Sequence, residues 1–232
     1  MSAYPKTENL FERDLETKKL ISGKLRISEY GQIQHWWVTE KIDGTNIRID
    51  YDLQTNTLDV LGRTDAASLP KNFIDEALPH LTPELCRDAL FTLLGEKMTD
   101  EGWAFTVYGE GYGPGIQKNG GRYAEKKSFA IFDVVTYRIV PGLTIDERSV
   151  RSRGYWRPWN DVKKVAAGLR LHTVPVLGQI HRTVIEGKVK EGFLSALGDN
   201  PPAEGVIART DPYLFLWDRK RAMFKLKTKD LQ

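Results

Sequence analysis

The alternation of apolar and polar residues changes along the chain and divides it into strand-like and helix-like stretches. Residues 7–24 are charged, with Leu10, Phe11, Leu15, Leu20 and Ile21 spaced for a packed N-terminal arm or a short helix. From Ile33 the texture is that of a strand, and Trp36, Trp37 and Val38 lead into Lys41. Ile47, Ile49 and Tyr51 then alternate with Arg48, Asp50 and Asp52, the period of two expected of a half-buried strand. Gln54-Thr55-Asn56 reads as a turn and residues 57–61 as the returning strand, so Lys41 lies at the mouth of an antiparallel unit. Over residues 70–94 the period lengthens, and Phe73, Ala77, Leu81, Leu85, Ala89 and Leu93 belong to two apolar helical faces. Thr82 is suited to cap the second helix, with Pro83 at its first position. Residues 103–108 and the mostly apolar 129–135 read as strands. Between them, Gly111-Tyr112-Gly113-Pro114-Gly115 is too rich in glycine for regular structure. Residues 160–168 and 181–197 read as helices around a short strand at 173–177, and residues 205–208 and 222–226 as short strands. The pattern predicts an α+β fold, with antiparallel strands and helices packed outside them. No repeat or clear linker interrupts it, so a single domain over residues 1–232 is expected.

Composition narrows the classes. The 232 residues suffice for a sizeable core, and no apolar run approaches the length of a membrane helix. The start, Met1 to Lys6, lacks the apolar centre of a secretory signal. Cys86 is the single cysteine, so no internal disulfide or cysteine-rich metal site can form, and a reducing, cytoplasmic setting is expected. A net charge of +3 does not announce a nucleic-acid binder, but its distribution is uneven. Arg219, Lys220, Arg221, Lys225, Lys227 and Lys229 crowd the C-terminus, and Lys118, Arg122, Lys126 and Lys127 crowd one loop. Each run taken by itself reads as a solvated face. The four histidines show no metal-ligand spacing, and no phosphate-binding loop ends in Gly-Lys-Ser/Thr.

Four short segments place charge beside glycine or inside an apolar strand: Lys41-Ile42-Asp43-Gly44, Tyr108-Gly109-Glu110, Glu204-Gly205-Val206-Ile207 and Lys225-Leu226-Lys227. A charge among strand residues is costly if buried alone, so each needs a partner, and one pocket with a shared ligand would serve all four. Lys225 and Lys227 flank Leu226 and so point to one side of a strand. Singly, each segment also has a plain reading, as a turn, a loop acid or the wet face of an edge strand, and Phe132 alone reads as core.

Taken in order, with the Phe129-Ala130-Ile131-Phe132-Asp133 strand between the second and third, these segments resemble the motif set of the covalent nucleotidyltransferases: DNA ligases, RNA ligases and mRNA capping enzymes. Lys41 to Asn46 (Lys-Ile-Asp-Gly-Thr-Asn) is similar to the nick-sealing RNA ligases, the class of RNA ligase 2 and the RNA-editing ligases. Tyr108 to Lys118 is similar to the same class. DNA ligases and capping enzymes typically carry arginine where Asn46 stands.

The resemblance implies an adenylyltransferase domain that uses ATP with Mg2+ or Mn2+. Lys41 would attack the α-phosphate, expel pyrophosphate and become lysyl-AMP. AMP would then pass to an RNA 5′-phosphate, and a 3′-hydroxyl would displace it, most simply at a nick in a duplex, as in RNA repair. A free lysine titrates at about 10.4, so neighbouring cations and partial desolvation are needed to make it a nucleophile. The resemblance places Lys225 and Lys227 on the α-phosphate, Glu204 at the metal, and Asp43 and Glu110 on metal-bound waters. Glu110 would also accept from the ribose, Phe132 would stack on adenine, and Glu40 and Ile42 would contact the nucleotide. Asn46 and Arg63 would serve phosphates or the RNA 5′ end, and the two basic runs would touch RNA phosphates. A DNA ligase, a GTP-using capping enzyme and a non-catalytic nucleotide- or RNA-binding module of the same fold are the alternatives. Many relatives carry a further domain after the Lys-x-Lys motif. Here the sequence stops at Gln232, so either a minimal or a truncated ligase is expected, with a phage as one source, a cytoplasmic setting and no protein partner evident.

Overall fold

The computed structural model describes residues 4–95, 102–138, 154–218 and 220–231; Arg219 of the C-terminal basic run lies outside them. The chain divides into two compact units, a central one (Gly44–Val174 with the N-terminal residues to Tyr4) and a terminal one (Pro5–Asp43 and Pro175–Gln232).

The terminal unit begins with a short antiparallel pair, β1 (Phe11–Arg13) and β2 (Leu20–Leu25), where the spacing suggests an arm or a short helix. Leu10 and Phe11 are buried, whereas Leu15 is exposed at the turn, so the apolar residues do not form one helical face. β3 (His35–Glu40) lies in a four-stranded sheet with β10 (Val176–His181), β11 (Gly205–Arg209) and β12 (Met223–Lys227), in the order β10-β3-β11-β12. One face of this sheet carries Trp36, Val38, Val206, Ala208, Phe224 and Leu226, all fully buried in the core of the unit. Tyr30 and Phe224 stand against Trp36 with ring centroids 5.1 and 4.8 Å away, so Trp36 is core rather than a surface platform. A helix, Arg182–Glu191, adds Ile185 and Val189 to that core. It is shorter than the expected 181–197, because Gly192 takes a positive φ of 80° at its C-terminus.

In the central unit, β4 (Thr45–Asp52), β5 (Thr57–Gly62), β6 (Trp103–Tyr112), β7 (Ser128–Arg138) and β8 (Tyr155–Trp156) run antiparallel in the order β5-β4-β6-β7-β8. The short β9 (His172–Thr173) pairs parallel with β7. β6 continues through Gly109-Glu110-Gly111 to Tyr112, beyond the expected 103–108, because those residues stay in register with β4. Helices α1 (Phe73–Ala77), α2 (Pro83–Leu94) and α3 (Trp159–Gly168) cover one face. Thr82 Oγ1 caps α2 by accepting from Leu85 N–H at 3.3 Å, with Pro83 at the first helical position. Cys86 on α2 is buried, and burial pushes its thiol up to about 12, which leaves it unreactive.

β4 departs from the half-buried expectation. Its polar set, Arg48, Asp50 and Asp52, is buried along with its apolar set. Arg48 Nε donates to Asp50 Oδ2 at 3.0 Å, and its other guanidinium nitrogens donate to Asp65 and to the Gly62 and Arg63 carbonyls. Internal pairing, rather than water, satisfies this face.

Candidate active site

Three strand ends of the terminal unit meet in register and bring together residues far apart in sequence. Gly205 pairs with Lys227, Val206 with Glu40, and Lys41 N–H donates to Gly205 O at 2.9 Å. Gly205 makes this possible: its φ is +152°, and a Cβ there would lie 2.7 Å from Lys227 Cα and collide with the Leu226 carbonyl. Only glycine lets β11 start so close to β12.

Lys41 Nζ lies 2.5 Å from Glu204 Oε2, and Lys227 Nζ lies 2.6 Å from Glu204 Oε1. One carboxylate thus bridges two ammonium groups. The side chains are partly shielded, 21% exposed for Lys41, 24% for Lys227 and 12% for Glu204. Burial alone would raise the Glu204 carboxyl, but Lys41 and Lys227 outweigh it and hold it below the ordinary value. Lys225, two residues before Lys227, is half-buried and makes no hydrogen bond or ion pair through its side chain among the described residues. Burial, then the nearby charges of Lys227 and Lys41, push its ammonium below the ordinary lysine value. Glu40 is buried, and its Oε2 accepts from Ala196 N–H at 3.1 Å. Ile42 is also buried, while Asp43 is half-buried and its side chain is unpaired among the described residues.

The central unit holds the other expected residues. Asn46 and Glu110 face each other across β4 and β6. Asn46 Oδ1 is buried and has no hydrogen-bond partner among the described residues, an acceptor whose cost a ligand donor would remove. Gly44 is required beside Glu110, because a Cβ there would lie 2.8 Å from Glu110 Cγ. Gln117 Nε2 donates to Gly44 O at 3.0 Å and folds the glycine-rich segment back on this strand start. On β7, Asp133 pairs with Tyr108 and Ile131 with Gly109, so Phe132 between them is the extra residue of a bulge. Bulges re-aim a side chain, and Phe132 is half-buried in a strand whose neighbours are fully buried. Tyr4 stands edge-on to Phe132 at 5.0 Å and donates to Asp133 Oδ2 at 2.7 Å, a contact that nothing in the local sequence signals. Arg63 follows β5, is exposed, and makes no side-chain pair among the described residues.

No group of three or more His, Cys, Asp or Glu gathers among the described residues. A magnesium-type ion needs no such cage, since it keeps several waters and takes one or two carboxylates with substrate phosphates. Glu204, a hard oxygen donor between the Lys41 and Lys227 ammonium groups, fits that requirement.

The fold is of the nucleotidyltransferase type. The family model for RNA ligase matches residues 34–227, and the chain belongs to that family. Among solved structures, a mutant of Naegleria gruberi RNA ligase with ATP and Mn is 17% identical, covers 98% of this chain and 56% of its own, and has a TM-score of 0.55. A second mutant, with AMP and Mn, is 16% identical, covers 98% and 62%, and has a TM-score of 0.52. The same ligase with PPi is 17% identical, covers 97% and 61%, and has a TM-score of 0.50. The chain therefore spans less than two thirds of the length of these relatives, and the likeness is one of fold. No curated protein matches. No helix among the described residues is long and apolar enough to cross a membrane.

Proposed function

We propose that the protein is an ATP-dependent RNA ligase acting through a lysyl-AMP intermediate at Lys41. The observation that carries this reading is the Glu204 carboxylate bridging Lys41 and Lys227, with Lys225 beside them. A nucleophile, a carboxylate that fixes its position and two further cations for phosphate oxygens suit nucleotidyl transfer to an amine.

Lys41 Nζ attacks the α-phosphorus of ATP. The N–P bond forms, the bond to the bridging oxygen breaks, and pyrophosphate leaves. Glu204 Oε2 accepts from Nζ and orients it, and the proton of Nζ leaves to solvent as the N–P bond forms. Lys41 and Lys227 hold this carboxyl below the ordinary range, so it stays ionised and keeps Nζ in place. Lys225 and Lys227 neutralise charge on the α-phosphate. Glu204 would hold a divalent cation, Mg2+ or Mn2+, with Asp43 and Glu110 acting through waters. That ion, when bound, supplies further neutralisation of phosphate charge. For the nucleoside, Glu110 would accept from ribose hydroxyls, Phe132 would stack on adenine, and Glu40 and Ile42 would border the base. Asn46 and Arg63 would serve phosphate or the RNA 5′ end. In the later steps AMP passes to an RNA 5′-phosphate, and a 3′-hydroxyl attacks with release of AMP, most simply at a nicked duplex. The Naegleria relatives solved with ATP, AMP and Mn support the choice of ATP and a divalent metal.

Incubation with α-labelled ATP and magnesium tests the reading. Wild type should retain label through denaturation, and Lys41→Ala should retain none. Equal labelling of the two sinks the assignment. Nucleotide binding without covalent label supports a non-catalytic module instead, and preferential labelling by GTP supports a capping-type enzyme.

A further inference from the structure

A cleft of about 450 Å³ opens in the terminal unit between the two ends of the chain. Its cations are Lys6, Arg13, Arg26, Lys225, Lys227 and Lys229, against the two acids Glu8 and Asp230. The ends meet because residues 8–10 run alongside β12. Lys225 N–H donates to Glu8 O at 2.9 Å, and Leu10 N–H donates to Lys225 O at 3.2 Å. The β1–β2 pair then brings Arg13 and Arg26 to one wall, and the turn Thr228–Asp230 brings Lys229 to the other.

The acids are already engaged. Glu8 lies 3.4 Å from Arg26 and 3.9 Å from Lys6, and Asp230 lies 2.5 Å from Arg13. Lys227 is held by Glu204. Lys225 and Lys229 have no acidic side chain in ion-pair reach among the described residues. Six cations against two acids, in a concave wall, form a field that attracts a polyanion. The rims are wet: the Lys6 side chain is 70% exposed and that of Arg26 is 44% exposed. Long, exposed cations on open walls suit a strand of repeating phosphates.

The geometry points to this cleft as a binding site for the phosphodiester backbone of an RNA strand, with Lys6, Arg26 and Lys229 gripping phosphates next to the Lys225–Lys227 pair. It deepens the ligase reading and rests on it for the choice of RNA. The chemistry recognised is a run of phosphate oxyanions, which the triphosphate of ATP also offers, and the two sources separate in one experiment.

The triple variant Lys6→Gln, Arg26→Gln, Lys229→Gln changes surface charge and leaves Lys41, Glu204, Lys225 and Lys227 in place. Binding of a fluorescent 5′-phosphorylated RNA is measured by anisotropy across a salt series, without ATP or metal. The variant should bind roughly tenfold to a hundredfold more weakly near 0.1 M salt. Its slope of log affinity against log salt should be shallower by about 2, at about 0.7 per lost contact on a single strand. The triple arginine/lysine exchange, which keeps the charges, should restore both. The concentration of ATP that half-saturates lysine labelling should not move. An unchanged affinity and slope overturns the proposal, as does a wild type with no RNA affinity. A weakened ATP dependence with RNA binding intact also overturns it and assigns the cleft to the nucleotide. Because binding is read without chemistry, absence of label in wild type defeats the ligase reading alone.

Discussion

Each unit of the molecule contains a basic residue tied to carboxylates on a strand, and the two arrangements have opposite chemical prospects. In the central unit, Arg48 is fully buried, paired to Asp50 and Asp65, and its remaining donors meet backbone carbonyls. Arginine stays charged at any accessible pH, so this cluster can hold structure and do no proton chemistry. In the terminal unit, Lys41 and Lys227 share one carboxylate, remain partly open, and have a third, unpaired lysine nearby. A lysine amine becomes a nucleophile when it loses a proton, and Lys41 is open enough for solvent to take one while Glu204 holds it in place. Charge beside apolar strand residues is therefore not a signal of function. Solvent access, a removable proton and an incomplete set of partners are.

Variants in the two clusters sharpen that contrast. The largest expected effect is on chemistry: Glu204→Gln should lower the rate of lysine labelling by about 100-fold or more, while the melting temperature moves little, as measured by a labelling time course beside a thermal scan. Next, Asp50→Ala leaves Arg48 buried with a single, exposed carboxylate and should cost about 3–5 kcal/mol in denaturant unfolding. Label per folded molecule should stay unchanged; a large loss of labelling would place the buried cluster in the chemistry. Gly205→Ala should cost about 1–3 kcal/mol through its strained φ and also slow labelling, because it displaces the strand end that presents Glu204. The smallest effect is on acid stability. Glu204 titrates lower in the folded protein than its ordinary 4.5, so between those two values the unfolded chain binds more protons. The stabilisation is full above about 4.5 and is lost as pH falls through the folded value. Glu204→Gln should flatten that part of the pH–stability curve, and an identical curve would deny the depression.

Much of the candidate site was legible in sequence because it lies where pattern and chemistry conflict. Lys41, Glu204 and Lys227 each break an apolar run, and a strand end is where such a break is tolerated. Their meeting was suggested by the need of each strand charge for a partner and by the resemblance of the ordered motifs, since alternation says which face a residue takes and not which strand lies beside it. The Thr82-Pro83 cap was readable because its signal is local. The polar face of β4 was not: Arg48 and Asp50 follow the wet-face pattern, and only the contact with Asp65, in the loop after β5, shows that their pairing is internal. The course of the N-terminal arm escaped for the same reason, since residues 8–10 pair with Lys225 of β12, more than two hundred residues away. The bulge at Phe132 has no sequence mark, yet it is what turns that ring away from the core pattern.

The central claim is that Lys41 itself carries AMP. Intact-protein mass spectrometry after incubation with ATP and magnesium, followed by peptide mapping, measures this directly. The expected result is a mass increase of one adenylate, on the peptide containing Lys41, stable to base and released by acid, and absent from Lys41→Ala. An adduct on any other residue, or full occupancy in Lys41→Ala, would contradict the assignment of Lys41 as the nucleophile.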